Sequence, residues 1–189
     1  SEMCIRDSNH TVREDLQDTM QKGSRVSIAA ACFSIYAYQE LKKQLEEIAE
    51  LRFIFTSPTF VQENTPKERR EFYIPKLTRE KSLYGTEFEV RLRNELTQKA
   101  LAKECADWVR RKVKFRSNVS GEQMPGFMTV GESSYMPISG FTTVDLGCER
   151  GNNAYYPVQR TEAFENGRYF LSLFDEIWND SSRLQDVTD

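Results

Sequence analysis

Histidine is almost missing from this chain of 189 residues: His10 is the only one. A zinc site would therefore need unusual ligands, and any imidazole-based proton transfer would have to run through that single side chain. Cysteine is sparse as well. Cys4, Cys32, Cys105 and Cys148 lie far apart with no CxxC pair, which argues against a disulfide framework or a zinc knuckle and for reduced thiols. No apolar run approaches the roughly 18 residues of a membrane span, and no signal-peptide pattern is visible, so a cytoplasmic, soluble protein is expected. Neither GxGxxG nor GxxxxGK[ST] occurs, so a glycine-rich phosphate cradle is not expected.

Charge is present in quantity but nearly balanced, at a formal net of −3. Its distribution is uneven. Lys67 to Arg116 holds 15 basic and 8 acidic residues, whereas Glu132 to Asp189 holds 4 basic and 10 acidic. Within the basic half, Arg110, Arg111, Lys112, Lys114 and Arg116 fall inside seven residues. Cations in the last turn of a helix complement its dipole, but five exceed what capping requires. These five are the candidate nucleic-acid contacts, with DNA or RNA as the partner.

In chain order, Thr11-Val12-Arg13-Glu14 reads as a capping box. Val12, Leu16, Thr19 and Met20 share a stripe over about three turns, with Gly23 as a left-handed stop. His10 precedes that cap and reads as a solvated flanking residue. Val26 to Phe33 is a small, β-branched run suited to a buried strand, and Tyr38, Leu41, Leu45 and Ile48 space as a helix. Leu51 to Thr56 is the next strand, stopped by Ser57-Pro58. Strand, helix, strand in some thirty residues is a right-handed crossover between parallel strands, which makes the class α/β in a single domain.

Val61 to Tyr84 interleaves cations with Phe72, Tyr73 and Tyr84, a pattern that suits stacked single-stranded nucleic acid or a solvated insertion. Glu87 to Val113 is a long amphipathic helix with Trp108 as core anchor, and Tyr169 to Trp178 is a last helix. The organising stretch is Met124 to Gly151. Phe127 to Val130 and Tyr135 to Phe141 read there as two strands joined at Glu132-Ser133-Ser134, with no His and no Lys between them.

The helix, Val26-to-Phe33 strand, helix, Leu51-to-Phe55 strand order resembles the opening half of the phospholipase D-like nuclease fold. The hairpin ending in Ile138-Ser139-Gly140-Phe141-Thr142-Thr143 resembles that fold's catalytic hairpin and following strand. The runs His10 to Gln17, Leu92 to Ala100, Cys105 to Trp108 and Asp145 to Asn153 are similar to the N-terminal region of large bacterial DEAD/DEAH-type helicases related to chromatin remodellers.

The resemblance implies a mixed sheet flanked by helices over residues 9–180. Residues 181–189 would open a linker to a helicase motor beyond Asp189, and that motor, rather than this fragment, would use ATP and magnesium. Ser1 to Ser8 resembles the translation of a library-preparation adapter and is set aside as a scar.

The family's HxKxxxxD signature, laid on the hairpin, falls on Met124, Gly126 and Gly131. A thioether and two glycines can neither attack phosphorus nor neutralise a transferring phosphoryl group. The expectation is a non-catalytic accessory domain of an ATP-dependent helicase or translocase, with no catalytic residue and no metal site of its own. The alternative is an active nuclease completed by missing residues or by a second chain.

Overall fold

A computed structural model of the protein describes residues 3–5, 10–56, 87–148, 158–162 and 168–187. Val61 to Tyr84, where the interleaved aromatics fall, and the loop at 152–157 lie outside the described residues.

The described residues form a mixed eight-stranded sheet. The strands are β1 (Met3–Ile5), β2 (Arg25–Ala30), β3 (Glu50–Phe55), β4 (Val113–Asn118), β5 (Phe127–Val130), β6 (Ser133–Met136), β7 (Val158–Thr161) and β8 (Leu184–Asp186). Their spatial order is β1-β7-β6-β5-β2-β3-β4-β8. The middle is parallel, with β2 beside β3 and β3 beside β4, while β5, β6, β7, β1 and β8 add on antiparallel. Among the described residues the helices are α1 (Val12–Thr19), α2 (Ile35–Glu47), α3 (Glu87–Lys112) and α4 (Arg168–Trp178).

The crossover expected from strand-helix-strand spacing is present as β2-α2-β3, and α3 returns the chain from β3 to β4. Side chains alternate across a strand, so the sheet separates two cores, one on each face. On one face Val26, Ile28, Phe53, Phe115, Met128 and Tyr135 pack under α1, α2 and α3 with Leu16, Leu41, Leu45 and Trp108. Trp108 is fully buried and donates its indole N–H to the Leu45 carbonyl at 2.8 Å. On the other face Ala29, Ile54 and Phe127 pack against Phe174 and Trp178 of α4.

Several boundaries differ from the sequence expectation. Helix α1 has eight residues, because Met20 takes an extended backbone and closes the helix with its own N–H on the Leu16 carbonyl. Gly23, with φ +82°, serves the turn into β2 instead. The capping box is half formed: Thr11 Oγ1 accepts the Glu14 N–H at 3.1 Å, but the Glu14 carboxylate turns to His10. Strand β2 stops at Ala30, and Phe33 keeps a lone parallel bridge to Phe141.

The second hairpin strand is the shorter Ser133–Met136, closed by a turn at Gly131 (φ +59°) rather than at Glu132 to Ser134. The sheet also continues past the boundary drawn at residue 180. Leu184–Asp186 pairs with β4 because Leu184 has a place in the second core. At the opposite edge Met3–Ile5, inside the supposed scar, pairs with β7.

Candidate functional site

Open α/β sheets place ligands beyond the carboxyl ends of their parallel strands. Here those ends are tied together by one buried side chain. Asn118, 1% exposed, donates its amide to the carbonyls of Thr56 (3.0 Å) and Glu122 (2.9 Å) and accepts the Ser120 N–H at 3.0 Å. The Thr56 N–H in turn reaches the Ala30 carbonyl at 3.0 Å. The three strand ends and the 120–123 loop are thereby one rigid rim, on which Met124 follows.

The three signature positions flank β5, the strand that follows this rim. Gly126 precedes β5 and Gly131 follows it, so the two stand roughly 16 Å apart along extended backbone. At Gly126 an added Cβ would lie 1.8 Å from the Ile138 carbonyl oxygen and 3.0 Å from its carbon. Two backbones meet there, and the Ile138 N–H completes the approach on the Gly126 carbonyl at 2.9 Å. The position has room for hydrogen and nothing larger. Met124 is half-buried and packs on the second core.

Met124 also lines a groove of about 250 Å³ between the 120–125 loop and α4, with Pro125, Leu173 and Ile177 as its apolar wall. Glu122, Glu176, Asp180 and Arg183 stand at its edge. Arg183 bridges Glu122 at 3.2 Å and Asp180 at 3.1 Å. The Ser182 hydroxyl and the nearby Arg183 charge hold the Asp180 carboxyl below its ordinary range, so it stays ionised. Three carboxylates against one guanidinium repel a phosphodiester.

The five cations of 110–116 do not form one patch. Arg110, Arg111 and Lys112 end α3, and each meets an acceptor. Arg110 reaches Asp107 at 3.0 Å, and Arg111 reaches Glu46 at 2.9 Å. The Lys112 ammonium donates to the carbonyls of Glu46 (2.7 Å) and Ile48 (2.6 Å), which caps the end of α2. Lys114 and Arg116 point to the opposite face of the sheet, on alternate positions of β4. Lys114 is exposed, whereas the Arg116 guanidinium lies 4.0 Å over the Trp178 ring and bonds its carbonyl. Arg110 and Arg111 keep exposed side chains at 69% and 53%. Among the five, those two and Lys114 are the ones a polyanion could reach.

One polar cluster was not anticipated. Asp15, 2% exposed, accepts from the Tyr135 hydroxyl at 2.5 Å, from Arg160 Nη1 at 2.7 Å, and faces His10 Nε2 at 3.1 Å. Tyr135 OH also meets Thr19 Oγ1 at 2.7 Å, and Arg160 Nε lies 3.0 Å from Glu162. Burial and the hydrogen bond to Asp15 push the Tyr135 phenol far above its ordinary pKa. Burial works against the Arg160 charge, yet its bond to Asp15 and the surrounding acids keep its pKa raised.

His10 thus sits between Glu14 (3.3 Å) and Asp15 (3.1 Å) rather than free in solvent. The signal was available: Asp15 falls three residues after Val12 on the buried stripe of α1, where an unpaired carboxylate would be costly. Among the described residues no group of three or more His, Cys, Asp or Glu side chains could hold a metal ion, and no helix is long and apolar enough to cross a membrane. No family model matches the chain, and no curated protein matches its sequence.

Proposed function

We propose that this chain is a non-catalytic phospholipase D-like domain that contacts nucleic acid, serving as an accessory module of an ATP-dependent DNA helicase or translocase. The observation that carries the non-catalytic reading is Gly126. The position that would need the signature's lysine is occupied by the Ile138 carbonyl, which lies 1.8 Å from where a Cβ would start. The mixed sheet, with its parallel centre and antiparallel hairpin, supports the fold resemblance. The helicase context rests on the sequence runs alone, and ATP and magnesium would belong to that motor. Nucleic acid would meet the exposed end of α3 at Arg110 and Arg111, away from the acidic groove.

The test is incubation of the purified chain with labelled single- and double-stranded DNA at several salt concentrations. Saturable binding without cleavage is expected. Arg110→Glu with Arg111→Glu should weaken it and lower the log–log salt slope by about 1.8, since each lost phosphate contact removes about 0.9 from it on duplex DNA. Cleavage would overturn the non-catalytic reading in favour of the nuclease. Binding unchanged by the double reversal would remove the α3 contact, and no binding to either DNA would remove the nucleic-acid role.

A further inference from the structure

The geometry points to the groove between the 120–125 loop and α4 as a docking site for a basic, amphipathic polypeptide segment of a partner protein. Its volume, about 250 Å³, falls below the roughly 300–1,000 Å³ typical of small-molecule and cofactor sites. It suits one or two inserted side chains instead. Met124, Pro125, Leu173 and Ile177 give it an apolar wall. On α4, Phe170, Leu173 and Ile177 are only partly buried and Tyr169 is 62% exposed. An aliphatic anchor therefore has surface to bury.

Charge selects the occupant. Glu122, Glu176 and Asp180 face a single guanidinium, Arg183, which is already shared between Glu122 and Asp180. Glu176 is exposed and, among the described residues, has no ion pair. A lysine or arginine flanking the anchor would meet it, whereas an acidic segment or a phosphate would be repelled. A helix-in-groove arrangement supplies both features, with leucines at i, i+4 and i+7 and lysines between them. This surface is separate from the end of α3 and does not depend on the nucleic-acid reading.

A fluorescein-labelled peptide of about fourteen residues, built on that leucine and lysine spacing, tests the inference by anisotropy on the full chain. Saturable binding is expected, at least tenfold weaker for Glu176→Lys, and lost when the peptide's lysines are replaced by glutamate. Glu176 is a surface residue, so the variant should melt with the wild type. If it does not, the glutamate peptide supplies the same comparison on the unaltered protein. No saturable binding, or equal binding of both peptides, would overturn the proposal. So would displacement by spermine at matching charge, which would make the ligand a small polycation. A dimer to which the peptide no longer binds would assign the groove to a second copy and overturn it as well.

Discussion

Replacing Gly126 by alanine is the sharpest test of the packing around β5. The added methyl would start 1.8 Å from the Ile138 carbonyl oxygen, so the two backbones must part by more than 1 Å to reach even the 3.0 Å limit of real contacts. Little there can yield. The Ile138 N–H is bonded to Gly126 at 2.9 Å, and the next carbonyl, Ser139, accepts the Ala31 N–H at 2.8 Å. Overpacking costs about 1–3 kcal/mol, and loosening one or two hydrogen bonds adds about 1 kcal/mol each. The alanine returns only about 0.4–1 kcal/mol by restricting the unfolded chain.

The net is a loss of about 3 kcal/mol, between bounds of about 1 and 5 kcal/mol. With a urea dependence of about 2 kcal/mol per molar, the unfolding midpoint should fall by about 1–2 M. Gly23→Ala is the control: it has φ +82° and nothing within 4 Å, so it carries only the left-handed strain of about 1–2 kcal/mol. If Gly126→Ala unfolds within about 0.5 kcal/mol of wild type, or no earlier than Gly23→Ala, the close approach is not real. The signature position would then have room for a side chain.

The Asp15 cluster makes a second prediction. Asp15→Asn leaves Arg160 with only Glu162 as countercharge, and Tyr135→Phe removes two hydrogen bonds. Losses of about 3 kcal/mol, the low end for a broken buried pair because Arg160 keeps Glu162, and of about 1–3 kcal/mol are expected in urea unfolding. The double variant should cost less than the sum, because both act on one network; strict additivity would dissolve it. A third prediction concerns alkaline pH. Burial raises the Tyr135 phenol well above 10.0, and burial with the nearby Glu104 charge raises the Cys105 thiol from 9.0 to about 12. The unfolded chain releases these protons first, so it binds fewer protons than the native state above about pH 9, and stability must fall as pH rises from there. A urea midpoint that stays flat from pH 8.5 to 11 would contradict this.

The crossover half of the fold was readable because its signals are local. Val26 to Ala30 and Leu51 to Phe55 are short apolar runs, and the helix between them shows its stripe without outside help. The antiparallel half was less so. Strand β7 (Val158–Thr161) and strand β8 (Leu184–Asp186) are short, polar on one side, and held by partners far along the chain. Their pairing is a tertiary effect that periodicity cannot carry. Met136 ends β6 because the following 138–141 segment leaves the hairpin to bond Ala31, Cys32 and Ser34 across the sheet.

The candidate site divides the same way. Gly126 and Gly131 could be singled out from spacing, but the reason for the first is a backbone 12 residues away. The cations of 110–116 were countable, yet strand alternation sends Lys114 and Arg116 to the other face, and Glu46 and Asp107 answer Arg111 and Arg110. A charge count sees neither.

The knot at Asp15 joins residues 120 and 145 positions apart in sequence. During synthesis α1 emerges before β7, and its carboxylate cannot find the Arg160 guanidinium until β7 has left the ribosome. Until then the amino-terminal helix carries a buried-type acid with no cation to meet it. Fragments cut for expression or transplantation should therefore keep residues 10–162 together, since a break before 158 strands Asp15.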